Sequence, residues 1–286
     1  MNFVALDVET SNPDMASICQ IGLVKYSNGI LKDEWESYID PEDYFDDVNV
    51  YIHGINESKV RGAPKFPDIA EILNSYLNEH IVVCHTHFDR VAIHKATLRY
   101  KIQPIDCKWL DSARVARRTW KEFAWQGYNL KNICNTIGYD FNHHDALEDA
   151  RATAQVLIAA INKSQLNLAE WLERVEKPID PNKSSSKISC DGDPEGAFFG
   201  EILVFTGALE ITRREAADLA SSVGFQVASG VTQKTTYLVV GDQDISRLAG
   251  HSKSSKHRKA EELITQGFPI KIIKESDFID LVNISK

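Results

Sequence analysis

The sequence predicts an α/β protein in two domains joined by a linker. Short apolar runs typical of buried strands, such as residues 3–6 and 81–84, alternate with segments of helical periodicity over residues 1–175. Residues 176–196 are instead rich in Pro, Ser and Gly, which indicates a flexible linker. Strand and helix patterns alternate again over residues 197–286. A chain of 286 residues is long enough to form two separate cores.

The first predicted strand ends in two acidic residues. Apolar residues 3–6 are followed by Asp7, Val8 and Glu9. Because side chains alternate along a strand, Asp7 and Glu9 point to the same side. Two like charges at the end of a buried strand repel each other and lose hydration. Mg²⁺ or Mn²⁺ removes that penalty, since hard cations take carboxylate oxygens as ligands. The pair therefore indicates either a metal site or a strand end at which both acids face water.

Two further points of the chain carry residues that suit the same chemistry. Asp89 lies in the first turn of a predicted helix, where an acid can also simply complement the helix dipole. His144 precedes another predicted helix, and Asp149 lies one turn into it. A histidine before a helix is often structural, and the adjacent His143 competes for the same role. The residue types alone leave these alternatives open.

Together these segments resemble the motifs of the DEDDh 3′→5′ exonucleases, the RNase T-like superfamily that includes polymerase proofreading subunits. The resemblance covers residues 1–175 and rests on the order and spacing of segments 7–10, 21–24, 52–55, 88–89 and 144–149. Its register selects His144 over His143. It implies an RNase H-like fold with a mixed sheet. One departure is His85-Thr86-His87, where the family often has Asn shortly before its Phe-Asp pair.

The resemblance implies a two-metal site for phosphodiester hydrolysis. Asp7 would bridge two divalent ions, Mg²⁺ or Mn²⁺. Glu9 and Asp149 would complete the site that activates water, and Asp89 would help to hold the second ion. Two such ions stabilise the attacking and the leaving oxygen of an in-line displacement. His144 would be the general base, a role that suits an imidazole. The product would be a nucleoside 5′-monophosphate released from a 3′ end.

Three further residues resemble positions that contact the terminal nucleotide in this family. They are Thr10, through its backbone, His53 and the ring of Phe88. For His53, a structural role in a loop is an equal alternative.

A short segment resembles a partner-binding motif. Residues 165–168, Gln-Leu-Asn-Leu, are similar to the motif by which polymerase-associated proteins bind the sliding clamp. Because the segment adjoins an amphipathic helix pattern, ordinary helix packing is the preferred interpretation.

The second domain shows the order βαββαβα. Strand patterns at residues 201–205, 225–227, 237–240 and 270–273 alternate with helix patterns, the first of which begins with a Thr212–Glu215 capping box. Segments 205–207, 234–239 and 255–260 resemble a BRCT domain, most closely the one at the end of bacterial NAD-dependent DNA ligases. Phe278 stands where many BRCT domains carry Trp. The resemblance implies a small α/β fold with a parallel sheet.

The BRCT resemblance also implies candidate phosphate or DNA contacts. Thr206 and Gly207 follow the first strand, and Lys256 lies at the second helix, the positions that hold phosphate in some members. Lys253 and Lys259 extend this into a basic cluster. A turn and a helix N-terminus favour an anion because their backbone N–H groups are exposed. A solvated surface, DNA or DNA-end binding and phosphoprotein binding remain open, in that order of preference.

Composition limits the function classes. The formal net charge is −9, and acidic and basic side chains are equal in number over residues 196–286, so the acidic excess lies in the rest of the chain. This argues against tight, sequence-independent duplex binding by the first domain. No apolar run has the length of a membrane span, and no secretory leader is predicted. The five cysteines form no Cys-x-x-Cys pair, and a reducing cytoplasm is the expected location.

The sequence therefore predicts a metal-dependent 3′→5′ exonuclease with a tethered BRCT module, acting on nucleic-acid 3′ ends. DNA is the preferred substrate because of the ligase-like BRCT domain, and proofreading or repair, with polymerase association, is the expected context. An RNA-trimming exonuclease and a recruitment protein with a catalytically weak exonuclease fold are the alternatives.

Overall fold

The computed structural model describes residues 1–124, 127–177, 179, 192–207, 209–241 and 253–285. The chain divides into two compact units, Met1–Pro181 and Asn182–Lys286. Among the helices of these described ranges, none is long and apolar enough to cross a membrane.

The first unit is built on a five-stranded mixed sheet. Its strands are β1 (Phe3–Thr10), β2 (Ile18–Ser27), β3 (Ile30–Tyr38), β4 (Ile81–Cys84) and β5 (Lys108–Asp111). They lie in the order β3-β2-β1-β4-β5. β1 pairs antiparallel with β2 and parallel with β4, and β4 pairs parallel with β5. The expected mixed sheet is confirmed, and the central position of β1 explains why its residues 3–6 are fully buried.

Helices surround this sheet, and the longest of them packs across β1 and β2. They are α1 (Asp47–His53), α2 (Glu57–Val60), α3 (Ala70–Leu77), α4 (Phe88–Arg99), α5 (Ser112–Thr119), α6 (Leu130–Ile137), α7 (Ala146–Ser164) and α8 (Leu168–Val175). Short 3₁₀ turns lie at Phe66–Ile69 and Lys121–Phe123. The long α7 has small or apolar side chains on its buried face, which lets it lie close to the sheet.

The segment that resembles a clamp-binding motif connects α7 to α8. Leu168 is 8% exposed in the core, and Leu166 packs against the same core cluster. Asn167 caps α8 by accepting from the Glu170 N–H at 3.1 Å, and Glu170 returns the bond to the Asn167 N–H at 2.7 Å. These side chains already have intramolecular partners, so the segment serves helix packing.

The second unit is a four-stranded parallel sheet with helices. Its strands are β6 (Ile202–Thr206), β7 (Gln226–Ala228), β8 (Tyr237–Val240) and β9 (Lys271–Lys274), in the order β7-β6-β8-β9. All three pairings are parallel. The helices are α9 (Arg213–Ser222), α10 (Ser255–Thr265) and α11 (Glu275–Ser285). The described elements follow the predicted βαββαβα order, and the expected parallel sheet is confirmed.

The packed part of the second unit begins before residue 197, where the sequence places its start. The Asp193 N–H donates to the Ser221 carbonyl at 2.7 Å. A Cβ on Gly192 would lie 2.2 Å from the Gly224 carbonyl oxygen, so the two backbones are in direct contact. Polar and glycine-rich composition suggested a linker here, but in this segment glycine serves close packing.

Candidate active site

Three carboxylates meet at the carboxyl end of β1. One oxygen each of Asp7, Glu9 and Asp149 lies within 4.8 Å of the other two. Asp149 is 3% exposed, while Asp7 and Glu9 are half-buried. Three negative charges so close together repel each other in a partly dehydrated position. An all-oxygen donor set of this kind fits hard divalent cations such as Mg²⁺ or Mn²⁺. The residues present therefore fit the metals that the sequence predicts.

Strand pairing explains how Asp149 reaches the other two acids. Asp7 pairs with Gly22 of β2, and Glu9 pairs with Gln20, so all four face the same side of the sheet. The first turn of α7 lies on that side. A Cβ on Gly22 would be 2.3 Å from the carbonyl carbon and oxygen of Ala146, which shows that the helix backbone rests directly on this glycine.

A hydrogen bond fixes the same helix end. The Ala146 N–H donates to Gln20 Oε1 at 3.3 Å, and Gln20 is 3% exposed. Asp145 caps the helix by accepting from the Glu148 N–H at 3.1 Å. Three contacts thus fix the start of α7: the contact with Gly22, the hydrogen bond to Gln20 and the Asp145 cap. They place the next turn of the helix, which carries Asp149, against β1.

The carboxylate of Asp149 has two local partners. His143 Nδ1 lies 2.9 and 3.1 Å from its two oxygens, and the His144 N–H donates to Oδ2 at 3.1 Å. Because a carboxylate only accepts, Nδ1 of His143 carries the hydrogen. His144 has a φ of 68°, in the left-handed region that non-glycine residues rarely adopt. The backbone N–H of His144 and the ring of His143 thus both fix the position of the Asp149 carboxylate.

Asp89 is joined to β1 through the backbone. It is 3% exposed in the first turn of α4, and its Oδ1 accepts from the Val8 N–H at 3.1 Å. It does not belong to the group of three close carboxylates found in the described residues. Because Val8 lies between Asp7 and Glu9, this bond nevertheless fixes Asp89 beside the strand that carries them.

Thr10 is held by two side chains of α1. Its carbonyl oxygen accepts from Asn49 Nδ2 at 2.8 Å and from His53 Nε2 at 3.1 Å. The Ile55 N–H donates to His53 Nδ1 at 3.0 Å, so the ring is neutral with its hydrogen on Nε2. Burial lowers the pKa of His53, which agrees with this state. Both ring nitrogens of His53 therefore form hydrogen bonds with nearby backbone groups. Phe88, the third residue expected to line the nucleotide pocket, is the first residue of α4 and is half-buried.

The His85-Thr86-His87 segment takes structural partners. His85 Nε2 donates to the Tyr128 carbonyl at 3.0 Å, and its Nδ1 lies 2.8 Å from the Ser112 hydroxyl, with which it shares a hydrogen bond. Thr86 has a φ of 73°. His87 is 5% exposed, and burial lowers its pKa. The histidine that replaces the usual asparagine thus connects β4 to α5 and the loop before α6.

In the second unit, Thr206 and Lys256 lie at the carboxyl end of β6. Lys256 Nζ donates to the Phe205 carbonyl at 3.1 Å. Thr206 is 4% exposed and shares a hydrogen bond of 2.8 Å with the Ser254 hydroxyl. Since Ser254 is the N-cap of α10, strand end and helix start meet here. Two of the predicted phosphate contacts are therefore neighbours in space.

Arg213 adds a second positive charge to this position. Its Nη2 donates to the carbonyl of Gly207, which has a φ of 78°, at 2.7 Å. Burial lowers the pKa of Lys256, and the charge of Arg213 lowers it further. Among the described residues, Lys256 Nζ and Arg213 Nη2 donate to backbone carbonyls, so neither bond neutralises its cation. Two cations whose charges interact in this way favour an anion near them.

Lys253 and Lys259 are arranged differently. Lys253 contacts Glu261, and Lys259 Nζ lies 2.8 Å from Glu262 Oε2. Each lysine thus has an acidic partner on α10, which reduces its attraction for phosphate.

The chain matches the model of the Exonuclease (RNase_T) family over residues 4–157, more than half of its length. It belongs to this exonuclease family. The matched range includes every residue of the candidate active site, and the exonuclease part of the sequence prediction is confirmed. The BRCT resemblance of the second unit stays a prediction.

Two curated proteins similar to this chain are DNA polymerases. The PolC-type DNA polymerase III of Thermotoga maritima is 27% identical over 187 residues, which cover 62% of this chain and 13% of that protein. The PolC-type enzyme of Caldanaerobacter subterraneus is 25% identical over 166 residues, covering 57% of this chain and 12% of that protein. The chain therefore spans about an eighth of the length of these relatives.

Two solved structures are similar to the chain. One is exonuclease X in complex with 5′ overhanging duplex DNA, with 21% identity, a TM-score of 0.48, and coverage of 60% of this chain and 99% of that one. The other is the nuclease domain of 3′hExo, described as a DEDDh family member bound to rAMP. It has 15% identity, a TM-score of 0.46, and coverage of 56% and 90%.

Four residues at the candidate sites were not singled out by sequence reasoning. Gln20 and Asn49 act through contacts with distant backbone, and Arg213 acts through the nearby Gly207 carbonyl. His143 is the fourth, because the family register favours His144. One signal was readable, since Asn49 precedes His53 by four residues and so shares its helix face.

Proposed function

We propose that the chain is a two-metal-ion 3′→5′ exonuclease that releases nucleoside 5′-monophosphates from DNA 3′ ends. The observation that supports this most strongly is the convergence of the Asp7, Glu9 and Asp149 carboxylates within 4.8 Å, in a domain of an exonuclease family. These three residues would hold the divalent ions, with Asp89 beside them on the Val8 N–H. Such ions supply charge stabilisation and a water of lowered pKa.

The protein groups have separate roles in the proposed reaction. His144 takes the proton of the attacking water, a role that suits an imidazole, and the His144 backbone is tied to Asp149. Asp89 and the three close carboxylates would hold the ions that offset the charge of the scissile phosphate, and their fixed positions would keep the reacting atoms aligned for in-line attack. Thr10, Phe88 and the loop around His53 would line the pocket of the terminal nucleotide.

The second unit is proposed to bring the enzyme to its substrate. The pair of Lys256 and Arg213 near Thr206 and Gly207 supports binding of a phosphate group, with DNA or a DNA end as the preferred source and a phosphoprotein as the alternative. Tethering a second binding site raises the local concentration of substrate at the first. The PolC relatives favour DNA over RNA and agree with a proofreading or repair context and with polymerase association.

The decisive experiment is degradation of 5′-labelled single-stranded DNA and of the matching RNA by the full chain. We expect a ladder that shortens from the 3′ end in Mg²⁺ or Mn²⁺ and disappears with chelator. Asp7→Asn and Asp149→Asn should each abolish it with the fold intact. Glu71→Gln is the matched control, because Glu71 is exposed on α3.

The outcomes separate the alternatives. Substantial activity in either active-site variant would refute the site assignment. A ladder on RNA alone would make the protein an RNA-trimming exonuclease. No cleavage of either substrate by folded protein would favour a recruitment protein whose exonuclease fold is vestigial.

A further inference from the structure

Asp149 belongs to two groups of candidate metal ligands. The first is the carboxylate group with Asp7 and Glu9, and the second consists of His143, His144 and Asp149. In each group, one ligand atom per residue lies within 4.8 Å of the others. The second group contains two imidazoles, so it differs from the first in donor chemistry although the two share one carboxylate.

Donor chemistry decides which ions each group prefers. Oxygen-only sites suit Mg²⁺ and Mn²⁺, whereas imidazole nitrogens suit Zn²⁺, Ni²⁺ and Cu²⁺. We infer that His143, His144 and Asp149 form a binding site for an imidazole-preferring transition-metal ion such as Zn²⁺, which removes Asp149 from the carboxylate group. Zinc binding itself does not depend on the proposed exonuclease function, but its inhibitory consequence does.

The geometry of the second group is close to that of a bound ion. His143 Nδ1 lies 2.9 Å from Asp149 Oδ1, slightly less than the roughly 3.3 Å that separates two ligands of a tetrahedral zinc ion when each is about 2.0–2.1 Å from it. The ring of His144 lies beside that of His143, with centroids 3.9 Å apart and planes at 19°. A metal lies in the plane of each imidazole that binds it, so one ring must turn to point its nitrogen at the ion.

The side chain of His143 is 34% exposed, so its ring borders solvent as well as the rings of Phe141 and His144. When zinc takes the place of the hydrogen on Nδ1, the neutral ring carries its hydrogen on Nε2 instead, because the coordinating nitrogen must be unprotonated. The carboxylate of Asp149, which now accepts that hydrogen, becomes a ligand in the same step. The ion thus replaces the hydrogen bond between His143 and Asp149, and the neighbouring ring of His144 becomes its third ligand.

Occupation of this group would stop the proposed reaction in two ways. It would take a carboxylate oxygen from the Mg²⁺ ligands, and it would use the imidazole of His144 that is proposed to accept the proton of water. Zinc should therefore inhibit at concentrations far below that of Mg²⁺, since affinities of nitrogen-containing sites are higher for zinc than for the earlier divalent ions.

Calorimetric titration of the full chain with ZnCl₂ tests the site without any activity measurement. The double variant Asp7→Asn/Glu9→Gln removes two carboxylates of the first group and leaves the second group whole. We expect it to retain one zinc equivalent of the same affinity, and addition of His143→Gln to weaken that equivalent by about tenfold or more. His94→Gln, at an exposed position on α4, is the matched control. CoCl₂ should give the absorption of a nitrogen-ligated ion, which His143→Gln should remove.

Zinc inhibition at fixed Mg²⁺ gives the second measurement. The zinc concentration for half inhibition should rise about tenfold or more in His143→Gln, when each protein is normalised to its own zinc-free rate. Loss of zinc binding in the Asp7/Glu9 double variant, or zinc binding unchanged by His143→Gln, would overturn the inference. If the chain degrades no nucleic acid, the proposed function fails while calorimetry still decides the zinc site.

Discussion

Gly22 of β2 supports the backbone of Ala146, the first residue of α7. A Cβ at position 22 would lie 2.3 Å from both carbonyl atoms of Ala146, closer than any side-chain carbon tolerates. Gly22 is also the strand partner of Asp7. The separation between β2 and the helix that carries Asp149 is therefore set by the absence of one methyl group, and strand pairing passes this position on to Asp7 of β1.

Gly22→Ala should disrupt both the fold and the metal centre. The neighbouring atoms are backbone, so the start of α7 must move away from the sheet, at a cost of about 1–3 kcal/mol in the free energy of unfolding. A displacement of this kind at catalytic ligands lowers activity by about a hundredfold. Urea unfolding and exonuclease assays measure the two effects. Gly230→Ala is the control, because no heavy atom lies within 4 Å of its Cβ position. Equal stability of the two variants would show that α7 adjusts without strain.

Gln20→Leu should leave the Ala146 N–H without its side-chain acceptor. An unsatisfied buried donor costs about 1–3 kcal/mol. Because the bond positions the helix end that carries Asp149, the Mg²⁺ concentration for half-maximal activity should rise, by about tenfold. Gln155→Leu removes a side-chain bond to Tyr26 farther along α7 and should leave the Mg²⁺ requirement unchanged. A rise of the same size in both variants would mean that general loosening of α7 is responsible.

His53 should make the fold less stable in acid. Burial lowers the pKa of His53 in the folded chain, so the unfolded chain takes up a proton first as the pH falls through about 6.5. The unfolded state then binds more protons than the folded state. The free energy of unfolding therefore decreases as the pH is lowered, by at most about 1.4 kcal/mol for each pH unit. Denaturant unfolding between pH 7 and pH 5 should show a shallower decline in His53→Gln. The same decline in both proteins would exclude His53 as its source.

Lys256→Gln should weaken binding of the full chain to 5′-phosphorylated DNA. The slope of the logarithm of the binding constant against the logarithm of the salt concentration should become shallower by about one. The reason is that Lys256 and Arg213 place two cations at the end of β6. Lys234→Gln makes the same charge change at an exposed lysine and should have little effect. Fluorescence anisotropy across a salt series measures this. Equal effects of the two variants would indicate diffuse attraction, and binding of a phosphopeptide but not of DNA would identify the alternative ligand.

Local patterns predicted the parts of the site that depend on one element. Strand alternation placed Asp7 and Glu9 on one face, and helical periodicity located Asp149 in the first turn of α7. The approach of these elements depends on Gly22 and Gln20, which look unremarkable in the sequence because their partners are more than 120 residues away. Family spacing selected His144, yet it could not show that the ring of His143 bonds Asp149.

Composition was a weaker guide at the start of the second unit. Residues 192–196 contain two glycines and a proline, which suggested a linker. In the structure both glycines lie against the backbone around Gly224, and Phe198 stacks on Phe225 with ring centroids 4.3 Å apart. Contacts of this kind involve backbone surfaces that no hydropathy pattern records.

That early start decides how the protein can be cut for separate study. A fragment that begins at residue 197 would lack Gly192 and Gly196, and would leave the Ser221 carbonyl without the Asp193 N–H that it accepts from. A fragment that begins at residue 192 keeps this hydrogen bond and both glycine contacts. Expression trials of the second unit should therefore favour the longer boundary, and limited proteolysis should spare the peptide bonds between residues 193 and 200.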